Sequence, residues 1–247
     1  NGNGDISVTV NGVTTVMPSF APEKVWTYEA GAKGSFLDGR VMLSAALFHS
    51  TYQDFQARVG NGTNVGLGGS FPVLNAGKLR IQGFEFEAMV RPVRALTLTA
   101  SVGYLDSDYK RFDDPRRVPP AGFSCNPTGA AITCRPAFSP PLTMRLGADY
   151  RIPLGTSASL TLGGDLRFVD KHFLSVDNRP GLVEDGYTLG NLYAQVDFDQ
   201  FYLRGMVKNV GGTLYKTDGQ EFSSVGNIQT VYYGDPRTWN LTVGVRF

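Results

Sequence analysis

The last nine residues, Trp239 to Phe247, alternate without interruption between apolar side chains and polar or small ones. Because successive side chains of a β-strand point to opposite faces, one face of this segment is wholly apolar and the other is polar. A strand of this length is about what a tilted strand needs to cross a bilayer. An apolar outer face with a polar inner face is typical of a transmembrane β-barrel, whose strands separate lipid from an aqueous interior.

The same period of two recurs upstream, and nine segments carry it in all. No helical period extends beyond a turn or two, so the sequence predicts an all-β fold, an antiparallel up-and-down β-barrel that crosses a membrane. The nine segments are Val25–Phe36, Val41–Val59, Leu79–Arg91, Leu96–Tyr104, Leu142–Arg151, Ser157–Phe168, Tyr187–Phe198, Phe201–Val210 and Trp239–Phe247.

Two of these segments depart from strict alternation. Val41–Val59 loses its phase near Phe48, and Leu79–Arg91 changes phase at Gly83. A glycine at such a shift commonly marks a β-bulge, which inserts one extra residue into a strand. We therefore expect a bulge at Gly83.

The connections between the segments alternate strictly between short and long. Long loops are uncommon in compact soluble domains, whereas outer-membrane barrels place tight turns at the periplasmic end and long loops outside the cell. With Phe247 at the periplasmic rim, the long connections are predicted to be extracellular. The short ones are Leu37–Arg40, Pro92–Ala95, Ile152–Thr156 and Asp199–Gln200, and the long ones are 60–78, 110–141, 169–186 and 211–238.

Nine is an odd number of strands, whereas single-chain bacterial barrels have an even number. An open sheet edge in lipid would leave backbone N–H and C=O groups without partners. Residues 1–20 could supply a tenth strand through Ile6–Val10, but they are closer in character to the end of another extracellular loop. We therefore expect residues 21–247 to form about nine or ten carboxy-terminal strands of a larger barrel, with the amino-terminal strands outside this chain.

Composition restricts the function classes. The formal net charge is +1 and no block of Lys and Arg occurs, which argues against a nucleic-acid partner. Charged residues make up 18% of the chain and aromatic residues 12%, which fits a surface that partly faces lipid. Cys125 and Cys134 lie in a Pro- and Gly-rich stretch of a predicted outer loop. Their spacing suits a loop-closing disulfide, and two free thiols are the alternative.

Short motifs follow one another from about residue 20 to the carboxy terminus. They are Pro22-Glu23, Tyr28-Glu29 with Gly31 and Lys33, Asp38-Gly39-Arg40, Phe48 with Tyr52, Asp54 and Gln56, Asn75-Ala76-Gly77 with Gly83, Glu85 and Glu87, Asn209-Val210-Gly211-Gly212 with Tyr215, and Tyr233-Gly234-Asp235-Pro236-Arg237. In this order and spacing, the series resembles the terminal barrel strands of TonB-dependent outer-membrane receptors. Asp38-Gly39 is also a favoured hairpin turn, whereas Asn209-Val210-Gly211 has no physical account beyond loop punctuation.

The resemblance implies a bacterial outer-membrane barrel of about 22 strands that is filled by an amino-terminal plug. Such receptors import ferric siderophores, cobalamin, haem or sugars, and an inner-membrane TonB complex supplies energy through a short motif near the plug. Neither the plug nor that motif is in this sequence. The terminal Phe247 resembles the signal that barrel-assembly machinery reads in this family. The implied partners are therefore outer-membrane lipid, a siderophore-like ligand, the TonB complex and the assembly machinery.

Three arginines in a predicted outer loop, Arg111, Arg116 and Arg117, are candidate ligand contacts, because guanidinium groups bind carboxylates and catecholate-like anions bidentately. Nearby aspartates could pair with them instead. His172, at the lip of another outer loop, and Tyr215 are further candidates; a solvated histidine and an interface-belt tyrosine are the alternatives. No cofactor or metal site is predicted, since the cysteines and histidines lack ligand spacing.

Glu85 and Glu87 share a face and resemble a paired-carboxylate hydrolase, but no histidine or third polar partner accompanies them. We interpret them as residues of the barrel interior that pair with Lys33, Arg145 or a plug, so no catalytic residue is predicted. The favoured function is an energised receptor for a ferric siderophore or a similar scarce nutrient. The alternatives are a small outer-membrane barrel enzyme and a passive porin or adhesin.

Overall fold

The computed structural model describes residues 6–10, 13–17, 20–58, 73–112, 133–176, 178–222 and 228–246. Almost all regular structure in this part of the chain is β-strand, with one short 3-10 turn at Pro180–Leu182. Among these residues, no helix is long and apolar enough to span a membrane. The strands are β1 (Ile6–Val10), β2 (Val13–Met17), β3 (Lys24–Phe36), β4 (Val41–Arg58), β5 (Val73–Val93), β6 (Leu96–Phe112), β7 (Leu142–Pro153), β8 (Ala158–Val169), β9 (His172–Phe173), β10 (Val183–Glu184), β11 (Tyr187–Phe198), β12 (Phe201–Lys208), β13 (Lys216–Phe222), β14 (Ile228–Tyr233) and β15 (Thr238–Val245).

Among the described residues, nine strands form one antiparallel sheet, and each pairs with the next of these nine along the chain. The order is β3-β4-β5-β6-β7-β8-β11-β12-β15. This confirms the predicted sheet of nine up-and-down strands, which is not closed into a barrel within this chain. Three two-stranded sheets accompany it, formed by β1 with β2, β9 with β10 and β13 with β14. Ile6–Val10 therefore pairs with Val13–Met17 and is not a tenth strand of the main sheet.

The connections in the main sheet are short at one end and long at the other. The turn between β3 and β4 is closed by the Arg40 N–H, which donates to the Leu37 carbonyl at 3.1 Å. Asp38 and Gly39 lie at its centre with φ of 55° and 79°. Positive φ at both central positions is what the tight turns of two-residue hairpins require, so Asp38-Gly39 acts as the sequence predicted. We call the end with the long connections the mouth.

Two faces of the sheet differ in polarity. On one face lie exposed leucines in the middle of neighbouring strands, with Leu146 at 52%, Leu166 at 55% and Leu192 at 57% exposure. Large apolar side chains that no protein covers are expected in contact with lipid in a membrane barrel. Aromatic residues flank this band at both ends, as they do at membrane–water interfaces. They include Tyr104, Phe84 and Trp239 toward the mouth and Phe36, Tyr150, Phe198 and Phe201 toward the short turns.

The predicted bulge at Gly83 is wrong. Gly83 pairs with Phe48 on β4 and with Leu105 on β6 in a register that is continuous through this point. A Cβ at Gly83 would instead collide with the carbonyl oxygen of Tyr104. The glycine therefore allows close approach of two backbones rather than an extra residue. Bulges occur elsewhere, and the register of β4 against β5 shifts at Asp54, which has a positive φ of 55°.

The change of phase reflects a reversal of polarity on an unbroken sheet. Leu47, Phe84 and Tyr104 form the last apolar row of the lipid-facing side, where the Phe84 and Tyr104 rings stack at 5.7 Å. The next row toward the mouth is polar. There, Gln82 Oε1 lies 3.2 Å from His49 Nδ1, and Gln82 Nε2 donates to Asp106 Oδ2 at 3.0 Å. The strands thus leave the hydrocarbon between these two rows, because beyond them the outer face meets water.

On the opposite face, the same extension of the strands becomes apolar. Leu79, Tyr109, Phe112 and Cys134 are buried there in one cluster. The rings of Tyr109 and Phe112 lie 4.7 Å apart. The strands β5 and β6 extend beyond the predicted segments because the alternation of polar and apolar residues continues there with its faces exchanged. The outer face becomes polar, and the inner face becomes apolar and packed.

Candidate functional site

The face opposite the lipid-facing band, called the inner wall below, carries polar side chains that bond across strands. The Tyr193 hydroxyl donates to Asp149 Oδ1 at 2.5 Å, and the Arg204 guanidinium lies 4.1 Å from the centre of the Tyr193 ring. Gly163 pairs with Tyr193 in the sheet, and a Cβ on Gly163 would collide with both the ring and the Asp149 carboxylate. The glycine therefore makes the space in which the tyrosine lies against the wall.

Gly163→Ala is expected to lower the free energy of unfolding by about 1–3 kcal/mol, because overpacking displaces Tyr193 and Asp149. Gly205→Ala on β12 is the matched control, since nothing lies within 4 Å of a Cβ at that position. The control should be close to neutral. The stability of both variants is measured by incubating samples at increasing temperatures and finding, by gel electrophoresis, the temperature at which the faster mobility of the folded form is lost. Equal losses for the two variants would contradict the packing argument.

The terminal strand joins the inner wall through a second network. Arg246 Nη1 lies 2.8 Å from Asp197 Oδ1, and Gln195 Nε2 donates to the same oxygen at 3.0 Å. The Arg246 guanidinium also lies 5.1 Å from the centre of the Tyr202 ring. These contacts connect β11, β12 and β15 at the end of the sheet that carries the short turns, on the side away from lipid.

Glu85 and Glu87 lie exposed on the inner wall of β5, and neither forms an ion pair with any described residue. Arg145 pairs with Asp165 at 3.2 Å instead of with these carboxylates. Of the expected pairings, those with Lys33 and Arg145 are therefore wrong, and pairing with a plug stays a prediction. Within the described ranges, no three His, Cys, Asp or Glu side chains are placed to hold a metal ion.

At the mouth, the long connections pack on one another. Leu174 and Leu182 are buried at 2% and 0% exposure, and the Leu174 N–H donates to the Leu182 carbonyl at 2.8 Å. Gly219 of β13 packs against both, and a Cβ there would lie 2.9 Å from Leu182 Cδ2. The hairpin β13–β14 is therefore seated on the connection between β8 and β11.

Asn178 attaches a third connection to this body. Its Oδ1 accepts the Arg135 N–H at 2.7 Å, and its Nδ2 donates to the Arg135 carbonyl at 2.9 Å. The Phe138 N–H also donates to the Phe173 carbonyl at 2.8 Å. The β6–β7 connection is thus held to the β8–β11 connection by backbone and side-chain bonds, and the mouth is a packed layer in its described part.

His172 lies in this layer. Its Nδ1 is 2.9 Å from the Asp170 carbonyl oxygen, which can only accept, so Nδ1 donates this hydrogen bond. Glu184, which pairs with His172 across β9 and β10, accepts the Lys216 N–H at 2.7 Å. Beside it, a hydrogen bond from Lys171 and the charge of that lysine hold the pKa of the Asp185 carboxyl below its usual value.

Tyr215 packs against Tyr187 with ring centres 4.5 Å apart. It also covers Gly234, whose N–H donates to the Tyr215 carbonyl at 2.9 Å and whose position has no room for a Cβ. The aromatic pair therefore joins the start of β11 to the segment before the terminal strand.

Asn209 has a role that the sequence did not reveal. It is 4% exposed, has a φ of 48°, and its Oδ1 accepts the Thr213 N–H at 2.9 Å. Its Nδ2 donates to the carbonyls of Thr213 at 2.9 Å and Asp235 at 3.1 Å. Asn209 thereby bonds the motif Asn209-Val210-Gly211-Gly212 to the motif Tyr233-Gly234-Asp235-Pro236-Arg237, which precedes the terminal strand. The two motifs are therefore in contact although they are distant in the sequence.

The structure brings some predicted residues together and not others. His172 pairs across strands with Glu184, which accepts the N–H of Lys216, the residue that follows Tyr215. Arg111 lies apart from them at the end of β6, in an ion pair with Asp54 at 3.4 Å. Cys134 is buried and disulfide-bonded. Arg116, Arg117, Cys125 and Phe247 lie outside the described residues, so their roles and the pairing of Cys125 with Cys134 stay predictions.

Comparison with known proteins decides the family. The family model described as TonB dependent receptor-like, beta-barrel matches residues 1–210. The chain belongs to this family. Members of the TonB-dependent receptor family are outer-membrane β-barrel proteins, so the chain is part of an outer-membrane barrel, and the family is one of receptors rather than enzymes.

Relatives agree with this assignment. A probable TonB-dependent siderophore receptor, PiuA, from Acinetobacter baumannii is 29% identical over 107 residues, which are 43% of this chain and 13% of the relative. The ferric yersiniabactin uptake receptor FyuA from Yersinia pestis has a similar structure, with a TM-score of 0.68 and 18% identity over 98% of this chain and 33% of that protein. The crystal structure of the siderophore receptor PiuA from Acinetobacter baumannii has a TM-score of 0.66 and 21% identity, over 90% of this chain and 28% of that protein. This chain thus spans a third or less of each relative.

Proposed function

We propose that this chain forms the carboxy-terminal wall and part of the mouth of a TonB-dependent receptor that imports a ferric siderophore or a similar scarce nutrient. The observation that carries the proposal is the combination of a lipid-facing apolar band, a polar inner wall and a packed layer of long connections in one family member. A passive pore has no need of a packed mouth, and an enzyme would need a catalytic group that the inner wall does not present among its described residues.

The candidate ligand contacts are Arg111, Arg116, Arg117, His172 and Tyr215. In support, His172 Nδ1 is held by the Asp170 carbonyl oxygen, which fixes the ring in the packed mouth, and Arg111 is more than half exposed at the end of β6. A Cys125–Cys134 disulfide would anchor the outer loop to the buried cluster of Leu79, Tyr109 and Phe112. The TonB complex would act through a plug outside this sequence, and Phe247 would serve the barrel-assembly machinery.

Uptake of radiolabelled iron tests the proposal. Deleting the gene that carries this chain should abolish uptake and growth with at least one ferric siderophore as the sole iron source, and plasmid-borne protein should restore both. A strain that lacks the inner-membrane energiser is the control and should also fail. Growth that is unchanged on every scarce nutrient contradicts the proposal. Large steady conductance of the purified protein in planar bilayers would favour a passive pore instead.

A further inference from the structure

Two arginines stand directly opposite each other on the inner wall. Arg145 of β7 pairs with Arg167 of β8 in the antiparallel register, so their Cβ atoms are about 5 Å apart on the same face. Like charges at such positions destabilise a sheet. Both side chains are exposed to the interior rather than packed, and Arg145 is 63% exposed.

The counter-charge is insufficient for two cations. Asp165 lies 3.2 Å from Arg145, and its second oxygen accepts the Asn191 amide at 3.1 Å. Arg167 forms no ion pair with any residue that the structure describes. Among the described residues, the cluster of Arg145, Arg167 and Asp165 therefore carries one more positive than negative charge.

Other carboxylates near this part of the wall are engaged or distant. Asp149 accepts the Tyr193 hydroxyl, and Glu184 accepts the Lys216 N–H. Glu87 lies in the same row as Arg145 but two strands away, which is about 10 Å at the usual strand spacing. None of these carboxylates forms an ion pair with Arg167 among the described residues.

We propose that Arg145 and Arg167 form a binding site for an oxyanion, the carboxylate or catecholate group of an anionic chelate that moves along the inner wall. This inference rests on the proposed function and adds a position to it. Two guanidinium forks at cross-strand distance can each donate two parallel hydrogen bonds to anionic oxygens. An anion bound between the two guanidinium groups offsets their like-charge repulsion.

The site lies inside the bore and not at the mouth. Arg145 is the fourth residue of β7, and Arg167 is two residues before the end of β8, so both lie below the packed connections. Capture of a ligand at the mouth does not involve them. The site therefore affects passage and leaves affinity at the outer surface unchanged.

The test uses the double variant Arg145→Gln, Arg167→Gln in the full protein that carries this chain. Uptake of an anionic ferric chelate should fall about tenfold or more, the effect of losing charge-assisted hydrogen bonds. Uptake of a neutral ferric chelate, and surface binding of both at low temperature, should change less than twofold. Arg151→Gln is the matched control, because Arg151 lies on the same face of β7 opposite Thr161, which carries no charge.

A second measurement is independent of transport. Citrate should raise the unfolding temperature of the detergent-solubilised wild-type protein and of Arg151→Gln above its value in sodium chloride of equal ionic strength, and the double variant should lose this increase. If the double variant does not fold, Arg167→Gln alone replaces it, since it breaks no ion pair among the described residues. Arg167→Lys should recover part of the increase.

The outcomes separate the inference from the proposed function. If the double variant slows the uptake of neutral and anionic chelates equally, the inference is overturned, and Arg145 and Arg167 bind a carboxylate of the protein instead. The same citrate effect in all variants, or none in any, would overturn it as well. Absence of any chelate uptake by the wild type would refute the proposed function alone, and the citrate measurement would then decide the anion site.

Discussion

Asn209→Ala is expected to lower the free energy of unfolding by about 2–4 kcal/mol. The alanine leaves the Thr213 N–H and the carbonyls of Thr213 and Asp235 without their partner in a site that is 4% exposed. Alanine also tolerates the φ of 48° at this position less well than asparagine, whose polar side chain can hydrogen-bond locally. Urea unfolding of the protein in lipid vesicles, followed by tryptophan fluorescence, measures the change.

Two control variants separate the causes. Asn209→Gly removes the same hydrogen bonds but relieves the backbone, so it should be less destabilising than Asn209→Ala by about 1 kcal/mol. Asn240→Ala on β15 is the second control. Among the described residues, the Asn240 side chain has one hydrogen bond, which it accepts from Thr242 at an exposed position. Its loss should lower the free energy of unfolding by less than about 0.5 kcal/mol. An Asn209→Ala protein as stable as the wild type would show that the bonds to Thr213 and Asp235 do not hold the terminal strand in place.

The sheet was predictable because each lipid-facing strand must be apolar on one side and polar on the other. That requirement produces a period of two in every strand, and the loop lengths then order the strands without knowledge of contacts. The prediction was wrong at Gly83 because a reversal of polarity and a bulge give the same change of phase in a sequence. Only the register between Phe48, Gly83 and Leu105 distinguishes them.

The strands inside the long connections were not predictable in the same way. The hairpin β13–β14 has the sequences KTDGQEF and IQTVYY, which lack a consistent apolar face. Its seat on Leu174 and Leu182 is set by packing at Gly219, which no local pattern signals.

The candidate site was accessible from sequence only in part. His172 and Tyr215 could be selected as residues of outer loops, but the proximity of both to Glu184 depends on how separate connections pack. The opposition of Arg145 and Arg167 needs the register of β7 against β8, and a shift of two residues would put Arg145 opposite Asp165. The chemistry of the side chains was visible in the sequence, whereas their neighbours were not.

Arginine substitutions at two heights on β5 test where the strands leave the hydrocarbon. Ala88→Arg, in the middle of the lipid-facing band between Leu43 and Ala100, should cost about 2–4 kcal/mol of folding free energy in lipid vesicles, the usual cost of arginine at the bilayer midplane. Gln82→Arg lies on the same face but beyond the Phe84 row, so it should cost about 0–1 kcal/mol.

A third variant controls for the size and charge of the new side chain. Glu87→Arg is adjacent to Ala88 in sequence and at the same depth, but its side chain lies exposed on the aqueous inner wall, so its cost should also stay near 0–1 kcal/mol. The cost thus depends on the face and on the height together, as it must if lipid covers one face up to the row of Leu47, Phe84 and Tyr104. Equal costs at Gln82 and Ala88 would place the boundary nearer the mouth, and the outer network of His49, Gln82 and Asp106 would then lie in hydrocarbon, where its polar bonds could not be explained.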